Sequence, residues 1–165
     1  MSVLYVVLCL VALQRGIELF YAAATTKRLL ARGAVESGAA QYPFFILLHG
    51  AWLAGIALFV PPATQPNWWL LGIYAALQLL RVWTIASLGS HWTTRIITLP
   101  GAPLVRRGPY RFLRHPNYAI VCLEIAVLPL AFGAIPIAIV FSILNAALLT
   151  WRIRVEEGVL ASRRG

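Results

Sequence analysis

The sequence predicts an all-α integral membrane protein. It has about five transmembrane helices, the last two a short helical hairpin, and one long loop before the fourth. Three observations predict this. Of 165 residues, 61% are apolar and only 12% are charged, with a mean hydropathy of +0.80. A soluble domain is roughly 45–50% apolar and about 25% charged, so folding in water would leave large apolar patches exposed. The apolar residues also fall into five stretches, and the length suits about five crossings of ~20 residues each in one membrane domain, residues 1–165. Finally, the basic residues are confined to alternate connections.

The first stretch runs from Val3 to Ala24 and carries Arg15 and Glu18 on one helical face at i,i+3. Ala22-Ala23-Ala24 resembles a cleavage site, but no Lys or Arg precedes Arg15, so the basic start of a signal peptide is missing and a retained helix is expected. The second stretch, Phe44 to Val60, has Pro43 at its start and is stopped by Pro61-Pro62. The third, Trp68 to Leu88, places Gln78 and Arg81 on one face. The fourth and fifth, Asn117 to Phe132 and Ile137 to Arg152, are short, at about 16 residues or 24 Å each. The tight link Phe132-Gly133-Ala134-Ile135-Pro136 makes them a hairpin, and Pro129 is expected to kink the fourth helix.

Net charge is +9, from 13 Arg and one Lys against five Glu and no Asp. Such a balance raises the question of nucleic acid, but the placement of the charges has another cause. Lys27, Arg28 and Arg32 lie in the first connection; Arg95, Arg106, Arg107, Arg111 and Arg114 lie in the third; Arg152, Arg154, Arg163 and Arg164 lie at the C-terminal end. The second and fourth connections hold none. The positive-inside rule then puts the N-terminus outside and the long third loop and C-terminus in the cytoplasm, with no nucleic-acid partner invoked. Cys9 and Cys122 sit in apolar runs and read as buried apolar residues.

Arg15, Glu18, Arg81 and Glu124 lie inside apolar stretches and must face the bundle interior or pair, for instance Arg15 with Glu18 or Arg81 with Glu124. Gly89 to Pro116 is the one long connection, and Gly108-Pro109 reads as the start of a helical turn carrying Tyr110 and Arg114 on one face. His115-Pro116 then opens the fourth helix, whose free N–H groups favour an anion beside His115, Arg114 and Arg111. An alternative use of these arginines is lipid headgroup binding. At the end of the fifth helix Arg152 and Glu156 are i,i+4 neighbours, followed by Glu157, and the hairpin should bring them to the side of His115. Either a surface ion pair or a functional pocket fits that spacing. His49, His91 and His115 have no metal-ligand spacing; His49 is expected to pack within the second helix, and His91 could line the interface. No GxGxxG, GxSxG, HExxH or Walker sequence is present.

Gly108-Pro109-Tyr110-x3-Arg114-His115-Pro116-Asn117-Tyr118, followed by Arg152-x3-Glu156-Glu157, resembles the isoprenylcysteine carboxyl methyltransferase family. The resemblance covers roughly Leu88 to Leu160. The stretch from His91-Trp92-Thr93-Thr94-Arg95-Ile96 through Glu124 looks most like a small bacterial branch linked to O-methylation of alkylpyrones. The resemblance implies a methyltransferase cofactor-binding core at 89–160 that holds S-adenosylmethionine. Its contacts would fall on Arg95, Leu104, Val105, Tyr110, His115, Pro116, Asn117, Tyr118 and Glu156, with Arg152 facing the acceptor. The eukaryotic members carry a histidine where this chain has Ala102. A lipophilic or prenylated acceptor is implied, entering sideways from the bilayer, in a protein of the bacterial inner membrane. Two other readings compete: a membrane reductase of the sterol-reductase type using NADPH, and a small transporter or assembly subunit without enzymatic activity.

Overall fold

The structure, a computed structural model, describes residues 2–101 and 106–161, with side chains through Gly158. Five helices, α1 (Val3–Ala31), α2 (Tyr42–Phe59), α3 (Trp68–Leu88), α4 (Pro116–Ala131) and α5 (Ile135–Ala161), make up most of it. Two short strands, β1 (Val35–Ser37) and β2 (Ile96–Thr98), pair antiparallel, with Val35 opposite Thr98 and Ser37 opposite Ile96.

α1 and α3 start where a side chain satisfies their first amides. The Ser2 side chain accepts from Tyr5 N at 3.5 Å, and Asn67 Oδ1 accepts from Trp69 N and Leu70 N at 3.1 and 3.2 Å. α2 and α4 carry a proline in the first turn, where the missing N–H has no cost. α2 ends at Phe59 because Val60, extended before Pro61, cannot stay helical. α3 ends at Gly89, with φ at 52°.

Two helices run further than their apolar stretches. α1 continues past Ala24 to Ala31 and takes Lys27 and Arg28 into its last turns. No Gly or Pro stops it before Gly33, and cations near a helix C-terminus are favoured by its dipole. α5 continues past Arg152 to Ala161, because nothing between Pro136 and Gly158 breaks a helix. It is therefore a 27-residue helix and not the 16-residue partner of a short hairpin. Pro129 stands in the last turn of α4, where its carbonyl accepts from Phe132 N and Ala134 N at 3.1 and 2.9 Å; it closes the helix. His49 Nδ1 lies 2.8 Å from Phe45 O, within α2.

Among the described residues, four helical segments are long and apolar enough to cross a membrane: Val3–Ala31, Ala39–Phe59, Trp68–His91 and Ile135–Gly158. α4, with 16 residues, spans about 24 Å, less than the ~30 Å hydrocarbon layer. It packs against both α3 and α5. The apolar core joins Leu4, Leu8 and Val11 of α1 to Leu48, Trp52 and Ile56 of α2 and to Val121, Ile125 and Leu128 of α4. The outer faces carry Phe20, Leu58, Trp69 and Leu79, all exposed, as a lipid-facing surface requires. The chain is an integral membrane protein. At one end of the bundle the β1–β2 ladder joins the first connection to the third. At the other, Asn67 N donates to Ala131 O at 2.7 Å and ties the second to the fourth.

The four charges of the apolar stretches meet in one cluster. Arg81 Nε donates to both Glu18 oxygens at 2.8 and 2.9 Å, and its Nη1 lies 3.2 Å from Glu124 Oε2. Arg15 reaches Glu18 at 3.1 Å and Glu124 at 2.6 Å. Gln78 donates to the remaining carboxylate oxygen, Glu124 Oε1, at 2.8 Å, and Gln14 adds a second donor to Glu18 Oε1 at 3.0 Å. Both expected pairings, Arg15 with Glu18 and Arg81 with Glu124, are thus made and cross-linked. Two positive and two negative charges balance across α1, α3 and α4. Removing one partner strands a charge in the interior, at a cost of about 3–5 kcal/mol. Glu124→Ala is expected to lower the thermal stability of the protein in lipid nanodiscs sharply. Arg15→Met with Glu124→Leu, which restores balance, should recover much of the loss. A Glu124→Ala protein that melts with the parent would refute this role.

Candidate functional site

The site lies at the end of the bundle that carries the β1–β2 ladder. His115 precedes α4 with φ at −131° and ψ at 63°, and Pro116 starts the helix. Tyr118 follows in the first turn, and the hairpin sets it against Arg152 and Glu156 of α5. Its hydroxyl donates to Glu156 Oε2 at 2.7 Å and accepts from Arg152 Nε at 2.9 Å. Arg152 Nη2 donates to the Thr94 carbonyl at 2.9 Å. The His115 ring stacks on Tyr118, with centroids 5.0 Å apart and planes 9° apart, and its Nδ1 is 3.9 Å from Glu156 Oε2. The Arg152 guanidinium lies 5.2 Å from the Phe45 ring centre and 5.7 Å from that of Tyr118. Among the described residues no ion pair joins Arg152 to Glu156 directly; the Tyr118 hydroxyl stands between them.

Tyr110 reaches this group from the preceding loop. Burial, and then the negative charge of Glu156, push its phenol well above the ordinary tyrosine range, so it stays neutral. Gly108 fixes its place. With φ at 58°, Gly108 lies so close to α3 that an added Cβ would meet the Ser87 Cβ at 2.9 Å and the Trp83 ring nitrogen at 3.4 Å. Arg107 Nε donates to Ser87 O at 2.8 Å and closes the same contact. The tight turn, Gly108–Arg111, ends before Arg114. Arg114 therefore does not share a helical face with Tyr110, and both Arg111 and Arg114 are exposed, outside the hydrogen-bonded group.

Arg95 takes a neighbouring position. Its Nη1 donates to both Glu36 oxygens at 3.1 Å, and its guanidinium sits 4.4 Å from the Tyr42 ring centre. It touches the site through its neighbour Thr94. Pro116 is buried beneath the first turn of α4. Asn117 Oδ1 is buried with no hydrogen-bond partner among the described residues, as is Trp92 Nε1. Leu104 and Val105, with Ala102, lie outside the described residues. His91 is exposed in the short turn after α3.

Glu36, Tyr42, Phe45 and the Thr94 carbonyl were not legible as site residues. Glu36 had one signal: it is the sole acidic residue of the connections in a strongly basic set of loops. Phe45 had none, since an aromatic residue at the start of an apolar helix reads as packing.

The arrangement can hold a cation against Glu156 and an anion or oxygen nucleophile against Arg152, with the Tyr118 hydroxyl between them. The sequence model of the isoprenylcysteine carboxyl methyltransferase (ICMT) family matches residues 70–162. An uncharacterized protein of Bacillus subtilis (strain 168), YpbQ, is 39% identical over 160 residues, which covers 94% of this chain and 95% of that protein. No solved structure matches the chain. The matched segment contains Tyr110, His115, Tyr118, Arg152 and Glu156, the side chains that converge at the end of α4 and α5. On this match, and on the similarity along nearly its whole length, the chain belongs to the isoprenylcysteine carboxyl methyltransferase family of membrane methyltransferases.

Proposed function

We propose that the protein transfers a methyl group from S-adenosylmethionine to an oxygen of a small lipophilic acceptor at the membrane surface. The observation that carries this reading is the Tyr118 hydroxyl, bonded at once to Glu156 and to Arg152. One residue suited to a cationic cofactor and one suited to an acceptor oxygen are held a single hydroxyl apart. The cofactor, when bound, supplies a methyl group made electrophilic by a positively charged sulfur.

The residues present fit that group. Glu156 offers a carboxylate to its positive charges. Asn117 Oδ1, buried and without a partner among the described residues, offers an acceptor for an ammonium or amine. The first turn of α4 offers its helix dipole to the cofactor's carboxylate; Pro116 has no N–H, and Tyr118 N and Ala119 N already donate to His115 O at 3.1 and 3.4 Å. Tyr110, neutral, can donate where a charged phenolate would repel. On the other side, Arg152, bonded to the Tyr118 hydroxyl and 5.2 Å from the Phe45 ring centre, aligns an acceptor oxygen. In-line displacement at a sulfonium needs alignment and exclusion of water more than acid or base. A carboxylate acceptor of the prenylcysteine type is already ionised, and the enol of an alkylpyrone ionises readily. Phe44 of α2 and Trp151 of α5, with ring centres 5.9 Å apart, form the wall that an acceptor leaving the bilayer meets.

Titration calorimetry with S-adenosylmethionine and with NADPH separates this reading from a reductase, and absence of binding by either would favour a transporter or assembly subunit. His115→Ala and Tyr118→Phe should each weaken S-adenosylmethionine. The loss of a hydrogen bond to a charged group, roughly 1.5–3 kcal/mol, is about ten- to a hundredfold. Unchanged affinity in both would put the cofactor elsewhere.

Arg152 and Glu156 should fail differently. Glu156→Gln is expected to raise the cofactor KM. Arg152→Lys keeps the charge, loses the planar donor geometry, and is expected to lower kcat with a prenylcysteine analogue or a long-chain alkylpyrone. Full activity of both variants on the acceptor that turns over would refute the assignment.

The confinement of the basic residues to alternate connections supports an orientation with this end of the bundle in the cytoplasm and the N-terminus outside, in what we propose is a bacterial inner membrane. Single cysteines at Gln65 and Ser37, in a background without Cys9 and Cys122, should label from opposite sides. Labelling from one side would overturn the orientation.

A further inference from the structure

The turn before α4 presents a surface that neither the site nor the core uses. Residues 106–114 contain Arg106, Arg107, Arg111 and Arg114 and no acidic residue. Arg107 is spent on Ser87 O, while Arg106, Arg111 and Arg114 are exposed. Between Arg111 and Arg114 stand Phe112 and Leu113, which are 78% and 54% exposed. A large aromatic and a leucine held out at the tip of a basic turn are costly in water and suited to the headgroup boundary of a bilayer.

The turn is also at the right level. Gly108 packs against Ser87 and Trp83 near the end of α3. Trp83 is half exposed, and Leu79 and Val82 on the same helix are exposed as well. A tryptophan at the rim of an apolar helix face marks the membrane interface. The turn therefore sits beside the rim of the lipid-facing band, with its arginines able to reach headgroups over their aliphatic stems.

We infer that residues 106–114 form a docking surface for anionic lipid headgroups, with Phe112 and Leu113 entering the boundary and Arg106, Arg111 and Arg114 meeting lipid phosphates. The charge of the turn selects the lipid class: an uncharged headgroup layer offers the apolar contact but no net attraction. The surface is mechanically continuous with the site. The same turn carries Tyr110, and His115 follows Arg114 directly. A lipid that orders the turn holds both in place.

The test reads the turn itself, without cofactor or acceptor, so its outcome is independent of methyl transfer. Phe112 N and Leu113 N each donate to Pro109 O at 3.1 Å, and their hydrogen exchange reports the turn's opening. Exchange of these amides should be roughly tenfold slower in nanodiscs of phosphatidylcholine with phosphatidylglycerol than in phosphatidylcholine alone, within the ~30-fold expected of two arginines at an anionic surface. Arg111→Gln with Arg114→Gln should abolish the difference. Phe112→Ser with Leu113→Ser, which keeps every charge, should reduce it. Equal exchange in the two membranes would overturn the proposal. Equal slowing by glycerophosphate added to phosphatidylcholine nanodiscs would overturn it too, since the turn would then be a site for soluble phosphate.

Discussion

Two arginines and two glutamates can stay charged in an apolar interior only if each is matched and hydrogen-bonded. That requirement organises this bundle. Glu124 is fully buried in α4, and its two oxygens are met by Arg15, Arg81 and Gln78 from α1 and α3. A helix so held cannot turn about its own axis without leaving a buried charge unpaired. Tyr118 lies six residues earlier on that helix, about 9 Å along its axis, so the direction in which Tyr118 points follows from the cluster below it. The cluster also ties α1 to α3 and α4, where its apolar packing is chiefly against α2. Because a buried ion network is as costly to form as to break, its value lies less in net stability than in permitting one rotation of α4.

Above the cluster the polarity changes purpose. The lower carboxylates have every oxygen met by protein donors. Glu156, by contrast, bonds Tyr118 through one oxygen and is only partly buried. Asn117 adds an acceptor with no partner among the described residues. Satisfied polar groups hold a fold together, and unsatisfied ones at a helix start are available to a ligand. The contrast between the two layers, a turn or two apart on α4, separates scaffold from site.

Much of the scaffold was visible in the residue pattern. Apolar runs marked all five helices, and Pro43, Asn67 and Pro116 stand at or beside the starts of three. The ends of α1 and α5 were not visible, because hydropathy reports where lipid stops and not where the helix stops; Lys27, Arg28 and Arg152 are polar but helical. Three-residue strands are too short to show alternation, so β1 and β2 left no trace. The partners of the buried charges were legible as a need, but not their cross-linking, which depends on how three helices pack. Around the site, Tyr118, Arg152 and Glu156 were legible through spacing and family likeness, since both signals are local. Glu36, Tyr42 and Phe45 come from a distant part of the chain and enter only through tertiary contact. Arg114 shares no face with Tyr110 because the turn from Gly108 ends at Arg111, a length that the residue pattern does not fix.

The β1–β2 ladder brings that distant part to the site. It fastens the first connection beside the third, and so carries Tyr42 onto Arg95 and Phe45 onto Arg152. These aromatic residues precede residue 70, where the family match begins. Tyr42 and Phe45 thus come from one stretch of chain, and Tyr110, His115, Tyr118 and Glu156 from another. A change of side-chain volume at Phe45 alters the room beside Arg152 without touching His115, Asn117 or Glu156. On the proposed reading, acceptor range can drift while the chemistry of methyl donation stands still, and a search confined to the shared motif would not see the change.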